Sequence, residues 1–249
     1  MRKVAVCGLA VGLLLLGIAL LTSGCGRTQR GDTGPSAIMP GVSEGYELRR
    51  FVVKAGPYRY DENIYLLVDS DSREAFLIDP GAKSEELEAY VRDAGVRIVA
   101  ILNTHGHYDH IGANAYYREL YKVEVYASPL DAGLYLAQEV PVDPVNAPTR
   151  DIPARGELRI GELNVRVIPT PGHTAGSVCF LAGNMLLSGD TLFQASVGRT
   201  VDQDTTRQLI ASIRDELLVL PPDTVVYSGH GDTTTIGFEK RNNEFLRER

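Results

Sequence analysis

The sequence predicts a mixed α and β fold, and two observations support this class. Short runs rich in Val, Ile, Leu and Tyr, typical of β-strands, recur along most of the chain between Gly, Pro, Asn and Asp residues. Stretches with apolar residues three or four positions apart, typical of amphipathic helices, lie between these runs. With 249 residues, 44% of them hydrophobic and 23% charged, the chain can build one substantial core. We therefore predict a single α+β domain.

Ten runs are predicted to be strands because each is short and apolar or alternates between apolar and polar residues. In chain order they are 48–54, 63–69, 75–79, 97–102, 123–127, 157–160, 164–168, 178–181, 185–188 and 224–228. A two-residue hairpin turn is indicated by Gly183-Asn184, and Gly161-Glu162-Leu163 indicates a similar turn earlier, since glycine readily takes the backbone conformation that such turns need.

Three helices are expected among these strands. The first is capped by Ser84 and stopped by Gly95, the second starts after Ser128, and the third spans 205–220 before two prolines. The stretch 141–155 contains four prolines and is expected to be a long loop.

The N-terminal segment predicts export from the cytoplasm. Arg2 and Lys3 precede an uncharged apolar run over residues 4–21, which is the arrangement of a signal peptide. The following Thr22-Ser23-Gly24-Cys25 resembles the lipobox of bacterial lipoproteins, in which Cys25 would be acylated and become the mature N-terminus. An uncleaved membrane helix is the alternative, because the run approaches spanning length.

This reading divides the chain into three parts. Residues 1–24 are predicted to be a lipoprotein-type signal peptide, and residues 25–45, rich in Gly, Ser, Thr and Pro, a flexible tether. The folded domain is then 46–249, on the extracytoplasmic face of a membrane. A formal net charge of −7 argues against nucleic acid as a partner, because a phosphate backbone would be repelled.

All five histidines and two aspartates lie just beyond predicted strands. Shortly after the run 97–102, the six residues 105–110 include His105, His107, Asp109 and His110. Each of the other three follows a different run through a loop that contains glycine; they are His173, Asp190 and His230. Because the ends of neighbouring strands meet at one edge of a sheet, such loops can direct side chains to a common point.

These residue types predict a centre with two divalent metal ions. Imidazole and carboxylate groups bind Zn²⁺, Fe or Mn, of which we expect zinc, and the sequence has no thiolate cluster. Seven ligands are too many for one tetrahedral ion, but they suit two ions if Asp190 bridges them. Two ions about 3.5–4 Å apart lower the pKa of a bridging water and stabilise the oxyanion that forms when it attacks a carbonyl. The sequence therefore predicts a dinuclear metallohydrolase that uses a bridging hydroxide.

The ligand string and the order of the later ligands resemble the metallo-β-lactamase superfamily. The resemblance implies a four-layer αββα sandwich with the metals at one edge of its two sheets. It also implies how the ligands divide: His105, His107 and His173 to the first metal, Asp109, His110 and His230 to the second, and Asp190 between them.

Three further segments resemble the short glyoxalase II-like (hydroxyacylglutathione hydrolase-like) group, namely 188–193, 197–200 and 229–237. This implies hydrolysis of a thioester such as S-lactoylglutathione, or of a related ester, with Asp109 both binding metal and orienting the hydroxide. Arg199 could meet a carboxylate of the substrate. Gly112-Ala113 departs from the usual Gly-Gly, and only 19 residues follow His230, where long glyoxalase II enzymes have a helical domain that holds glutathione. Recognition of glutathione is therefore left open.

Other functions remain open from the sequence. Persulfide dioxygenases of the same superfamily use one iron, through residues that match His105, His173 and Asp190. A lactonase or a β-lactamase is a further alternative, as is a lipoprotein that binds metal without catalysis. The expected water ligand, which leaves a coordination position open, argues against a lipoprotein that binds metal without catalysis, because structural sites fill their coordination shells.

Overall fold

The computed structural model describes residues 45–134 and 143–247. The predicted signal peptide and Cys25 lie outside the described residues, as does all of the predicted tether except residue 45. Within the described ranges the strands are β1 Tyr46–Ala55, β2 Tyr60–Asp69, β3 Glu74–Ile78, β4 Arg97–Leu102, β5 Val125–Ala127, β6 Arg150–Asp151, β7 Gly156–Ile160, β8 Leu163–Pro169, β9 Val178–Ala182, β10 Met185–Gly189, β11 Leu192–Phe193, β12 Ser196–Val197, β13 Val225–Ser228 and β14 Thr234–Thr235.

Two six-stranded sheets contain most of these strands. The first has the order β1-β2-β3-β4-β5-β6, antiparallel from β1 to β3 and parallel from β3 to β6. The second has the order β14-β13-β10-β9-β8-β7, in which only β10 and β13 run parallel. Strands β11 and β12 form a separate hairpin. The turn at Gly183 is a two-residue hairpin, as predicted, and the turn at Gly161 also has two residues, because Leu163 already pairs as the first residue of β8. Both glycines have positive φ.

Helices cover the outer faces of both sheets. They are α1 Glu85–Asp93, α2 Tyr108–Ile111, α3 Asn114–Tyr121, α4 Gln203–Ser212, which continues as a π-helical turn Ile213–Leu217, and α5 Ile236–Asn242. One core lies between the sheets and includes Phe76 and Phe180. Leu87 of α1 and Tyr117 of α3 join the outer core of the first sheet, and Leu209 of α4 joins that of the second. The four layers confirm the predicted αββα sandwich.

The helices differ from the predictions in extent. Ser84 caps α1 as expected, with its hydroxyl accepting a hydrogen bond from the Leu87 amide. Ser128 begins a 3₁₀ turn, Pro129–Asp131, and the continuation of the predicted second helix beyond residue 134 lies outside the described residues. The predicted loop 141–155 contains, from residue 143 onward, a 3₁₀ turn Pro144–Asn146 and strand β6. Helices α3 and α5 were not predicted, because both are short and Ala113 before α3 makes no capping hydrogen bond.

The strand directions place the loops that carry the candidate ligands. Parallel strands β3, β4 and β5 of the first sheet all end at the same edge, as do β10 and β13 of the second. The ligand string follows β4, Asp190 follows β10 and His230 follows β13. Within the described part of the chain, no helix has the length and apolar character needed to span a membrane.

Candidate metal centre

The structure brings all seven predicted ligands together. One group of ligand atoms, within 4.8 Å of one another, belongs to His105, His107 and His173, and a second group belongs to Asp109, His110 and His230. We call these the first and the second ligand set. A third such group joins Asp79 to His105 and His110, one histidine from each set.

Asp190 lies between the two sets. Its Oδ2 atom is 3.6 Å from Nε2 of His173 in the first set and 3.6 Å from Nε2 of His230 in the second. Its Oδ1 atom is 3.4 Å from Nε2 of His110. One carboxylate can therefore reach both sets, as a bridging ligand must.

Two pairs of imidazole rings point the same nitrogen at each other. The Nε2 atoms of His105 and His173 are 3.3 Å apart, and those of His110 and His230 are also 3.3 Å apart. The opposite nitrogen of His173 is 2.7 Å from the Arg199 carbonyl oxygen, and that of His230 contacts the Asp61 carbonyl oxygen. A carbonyl only accepts, so each Nδ1 carries a hydrogen, and in the neutral ring Nε2 then has its lone pair facing the centre.

A chain of polar groups orients the other two buried histidines. The Thr104 hydroxyl donates to Oδ2 of Asp79 at 2.6 Å, so its oxygen is left to accept from Nδ1 of His105 at 3.1 Å. The same carboxylate oxygen is 3.1 Å from Nδ1 of His110. Asp79 therefore holds one ring of each ligand set, and partners of this kind fix the orientation of metal-binding histidines.

These contacts provide the test of whether a cation fits the centre. The lone pairs of His105 and His173 converge and repel one another unless a positive charge lies between them. In addition, Oδ1 of Asp190 is buried and has no hydrogen-bond partner, a state that costs free energy unless the oxygen binds something. Imidazole nitrogens and carboxylate oxygens are the donors that zinc, iron and manganese accept. The residues present thus suit two divalent cations.

Burial keeps two histidines of the first set neutral. Loss of solvent lowers the pKa of His105 well below its usual value, and the neighbouring histidines lower it further. Burial, with the charges of His173 and His110, lowers the pKa of His107 to about 4. A neutral imidazole is the form that binds metal, so both side chains are ready as ligands near neutral pH.

The second set contains more negative charge. Burial opposes protonation of His110, but Asp190, Asp79 and Asp109 together raise its pKa well above the usual value. For Asp109 itself, burial favours the neutral acid, yet the hydrogen bond from His230 and the charge of His110 hold the pKa of the carboxyl well below its usual range. A metal ion must therefore displace a proton from His110.

Two contributors to the site were missed in the sequence. Asp79 is the last residue of a predicted strand, and the Asp-Pro-Gly turn that begins there was the available signal. Asn63 donates from Nδ2 to the carbonyls of Ser228, at 2.9 Å, and Gly231, at 3.0 Å, and so holds the loop that carries His230. Its sequence position, 165 residues before Ser228, gives no such indication.

The remaining predicted site residues have different outcomes. The Arg199 side chain is exposed, and the contact that the structure gives this residue is the hydrogen bond from His173 to its backbone carbonyl. Its contact with substrate stays a prediction. Asp109 is buried, with Oδ2 at 3.5 Å from Nε2 of His230, which places it within reach of the centre.

Sequence comparisons identify relatives along most of the domain. The model of the metallo-β-lactamase superfamily matches residues 57–230. Hydroxyacylglutathione hydrolase GloC of Haemophilus influenzae is 35% identical over 202 residues, which cover 76% of this chain and 95% of that protein. Probable metallo-hydrolase YqgX of Bacillus subtilis is 36% identical over 201 residues, covering 74% of this chain and 92% of that protein.

Solved structures show the same architecture. The BLEG-1 B3 metallo-β-lactamase is 34% identical, with a TM-score of 0.67, and the match covers 80% of this chain and all of that one. TTHA1623, solved in a di-iron-bound form, is 38% identical, with a TM-score of 0.65, and the match covers 79% of this chain and all of that one. The chain therefore belongs to the metallo-β-lactamase superfamily of metallo-hydrolases.

Proposed function

We propose that this chain is a dinuclear metallohydrolase that cleaves thioesters, with Zn²⁺ as its metal. The observation that carries the proposal is the pair of facing Nε2 contacts, at 3.3 Å each, with the Asp190 carboxylate reaching both ligand sets. Such a centre suits two ions that share one ligand. When bound, the ions supply Lewis acidity for a carbonyl oxygen and make a water molecule nucleophilic near neutral pH.

The residues of the chain have separate tasks in this reaction. Asp79 and the backbone carbonyls of Arg199 and Asp61 hold the imidazole rings in the tautomer that faces the centre. The depressed pKa of Asp109 keeps its carboxylate ionised, so it accepts a hydrogen bond from water and orients it. Asp109 is therefore a hydrogen-bond acceptor in the reaction and not an acid.

The nature of the leaving group supports a thioester as substrate. A thiol has a pKa of about 8.5, so a thiolate can leave without being protonated first. The amine that leaves from an amide does require a proton. A site whose nearby carboxylate remains ionised suits the first reaction better, and the similarity to GloC supports the same substrate class. Because glutathione recognition is a separate question, the substrate set must include thioesters without glutathione.

The test is a hydrolysis assay of the zinc-loaded chain on S-lactoylglutathione, simpler acyl thioesters and lactones. Asp190→Asn removes the bridging charge and is expected to lower kcat/KM by at least about a hundredfold. Loss of a residue that only supports a metal ligand already lowers metal affinity or activity by about ten- to hundredfold. Asp223→Asn, at an exposed position, removes the same charge and is the matched control. Wild-type turnover by Asp190→Asn would contradict the proposal.

A β-lactamase is the second candidate, because BLEG-1 is 34% identical over 80% of this chain. Penicillins and carbapenems therefore belong in the same assay. Hydrolysis of a β-lactam with a higher kcat/KM than any thioester would favour this function. Oxygen uptake in the presence of a persulfide, with one iron per chain, would instead favour a dioxygenase.

We also propose that the protein is exported and anchored to a membrane through a lipid on Cys25, with a small thioester or ester as its partner and no nucleic acid. The lipobox-like sequence before Cys25 supports this. In cells fed a radioactive fatty acid, the wild-type chain is expected to take up label and to sediment with membranes. Cys25→Ala should abolish the labelling. Equal labelling of both proteins would contradict the anchor.

A further inference from the structure

Asp131 lies outside the ligand loops yet joins two of them. It ends the short 3₁₀ turn that begins at Pro129, and its side chain is buried. Its Oδ2 atom accepts from the amide of Gly106 at 2.8 Å and from the hydroxyl of Thr174 at 2.9 Å. Its Oδ1 atom accepts from the amide of Gly176 at 2.7 Å. One carboxylate therefore accepts three hydrogen bonds from two loops.

The two loops belong to different sheets and supply the whole first ligand set. Gly106 separates His105 from His107 after β4 of the first sheet, and Thr174 follows His173 after β8 of the second. The fit around the carboxylate is close: a Cβ atom on Gly176 would lie 2.6 Å from Cγ of Asp131. A glycine at this position is what allows the loop to reach Asp131.

We propose that Asp131 is a positioning residue that sets the spacing of His107 and His173 and thereby the affinity of the first ligand set for its ion. The inference rests on the proposed two-metal centre and adds a residue to it. Two of the three donors to Asp131 adjoin ligands of the first set, since Gly106 lies between His105 and His107 and Thr174 follows His173, whereas Asn63 holds the loop that carries His230. Perturbing Asp131 should therefore weaken one ion more than the other.

Asp131→Asn is the informative variant because it keeps the size of the side chain. An amide has one acceptor oxygen and an NH₂ group, so at least one of the three donors then faces another donor. Thr174→Val removes one of the three hydrogen bonds without changing the shape of the side chain, while Thr174→Ser retains it. Loss of such supporting contacts costs about ten- to hundredfold in metal affinity.

The experiment titrates the metal-free chain with Zn²⁺ in competition with a chromophoric chelator. The wild type is expected to bind two ions. Asp131→Asn should retain one ion at wild-type affinity and bind the other about ten- to hundredfold more weakly. Thr174→Val should shift the same ion in the same direction by less, and Thr174→Ser should bind like the wild type. Activity on a thioester should show a lower kcat that rises with added zinc.

Glu74→Gln is the matched control. Glu74 is also buried, and it accepts from the Glu162 amide, but it lies where β3 begins, at the opposite end of the strand from the ligand loops. It should leave both zinc affinities and the activity unchanged. Unchanged zinc binding in Asp131→Asn and Thr174→Val would overturn the inference, as would equal weakening of both ions. If the wild type itself does not bind two ions, the proposed two-metal function is contradicted, whatever the variants do.

Discussion

Replacing His107 by Gln is expected to change how the stability of the metal-free protein depends on pH. In the folded chain, burial holds the pKa of His107 at about 4, whereas the unfolded chain has the ordinary value of 6.5. Between about pH 6.5 and about pH 4, His107 is therefore protonated in the unfolded state but neutral in the folded state. Acid thus favours unfolding through this residue.

The size of the effect follows from the two pKa values. Each unit of difference is worth about 1.4 kcal/mol, so the shift of His107 costs the folded state about 2 kcal/mol at about pH 5 and close to nothing at about pH 7.5. Glutamine has no such titration. Between these pH values the wild type should therefore lose about 2 kcal/mol more of its free energy of unfolding than His107→Gln does.

Urea unfolding at the two pH values, in the presence of a chelator, measures this double difference. Comparing each protein with itself cancels the contacts that glutamine loses, because those contribute equally at both pH values. His107→Asn serves as a second variant and should behave like His107→Gln. If wild type and variants lose the same stability on acidification, His107 is not held neutral by burial and the reasoning is wrong.

Three further predictions test other parts of the centre. Zinc binding should release protons near neutral pH, because the raised pKa of His110 leaves a proton to be displaced, and the apparent zinc affinity should therefore fall as pH falls. Calorimetry in buffers of different ionisation enthalpy counts the released protons, and zinc binding without proton release would contradict the prediction. Asn63→Leu should lower the free energy of unfolding by roughly 1–3 kcal/mol, because the carbonyls of Ser228 and Gly231 each lose one hydrogen bond. Zinc titration should show the second ion weakened, and unchanged binding would mean that Asn63 does not position His230. Gly81→Ala places a Cβ only 1.5 Å from the Asp109 carbonyl oxygen, so we expect a loss of roughly 2 kcal/mol or more in chemical unfolding, whereas Gly95→Ser, with open space around its Cβ but a positive φ, should lose less.

The ligands could be predicted from the sequence because strand ends are local features. A short apolar run followed by a glycine-containing loop indicates where a strand stops, and the candidate ligands are placed immediately beyond such points. His173 and His230 are far apart along the chain, yet strand pairing in one sheet brings their loops together.

The residues that support the ligands could not be predicted in the same way. Asp131 and Asn63 act through contacts with residues 43 and 165 positions away, and neither has a spacing pattern of its own. Helix α3 was missed for a different reason: it follows the ligand string after a single turn and has no side-chain cap to mark its start. Supporting groups depend on how elements pack, which periodicity does not encode.

The turn between β1 and β2 borders the centre without supplying a predicted ligand. A Cβ on Gly56 would lie 2.1 Å from the ring of Tyr108, which sits between His107 and Asp109, and the Asp61 carbonyl contacts His230. Nearby, Tyr58 is 60% exposed. The same short stretch thus borders the site and, through Asp61, orients a ligand of the second set. Exchanges in it can therefore alter the approach to the centre and the position of His230 together.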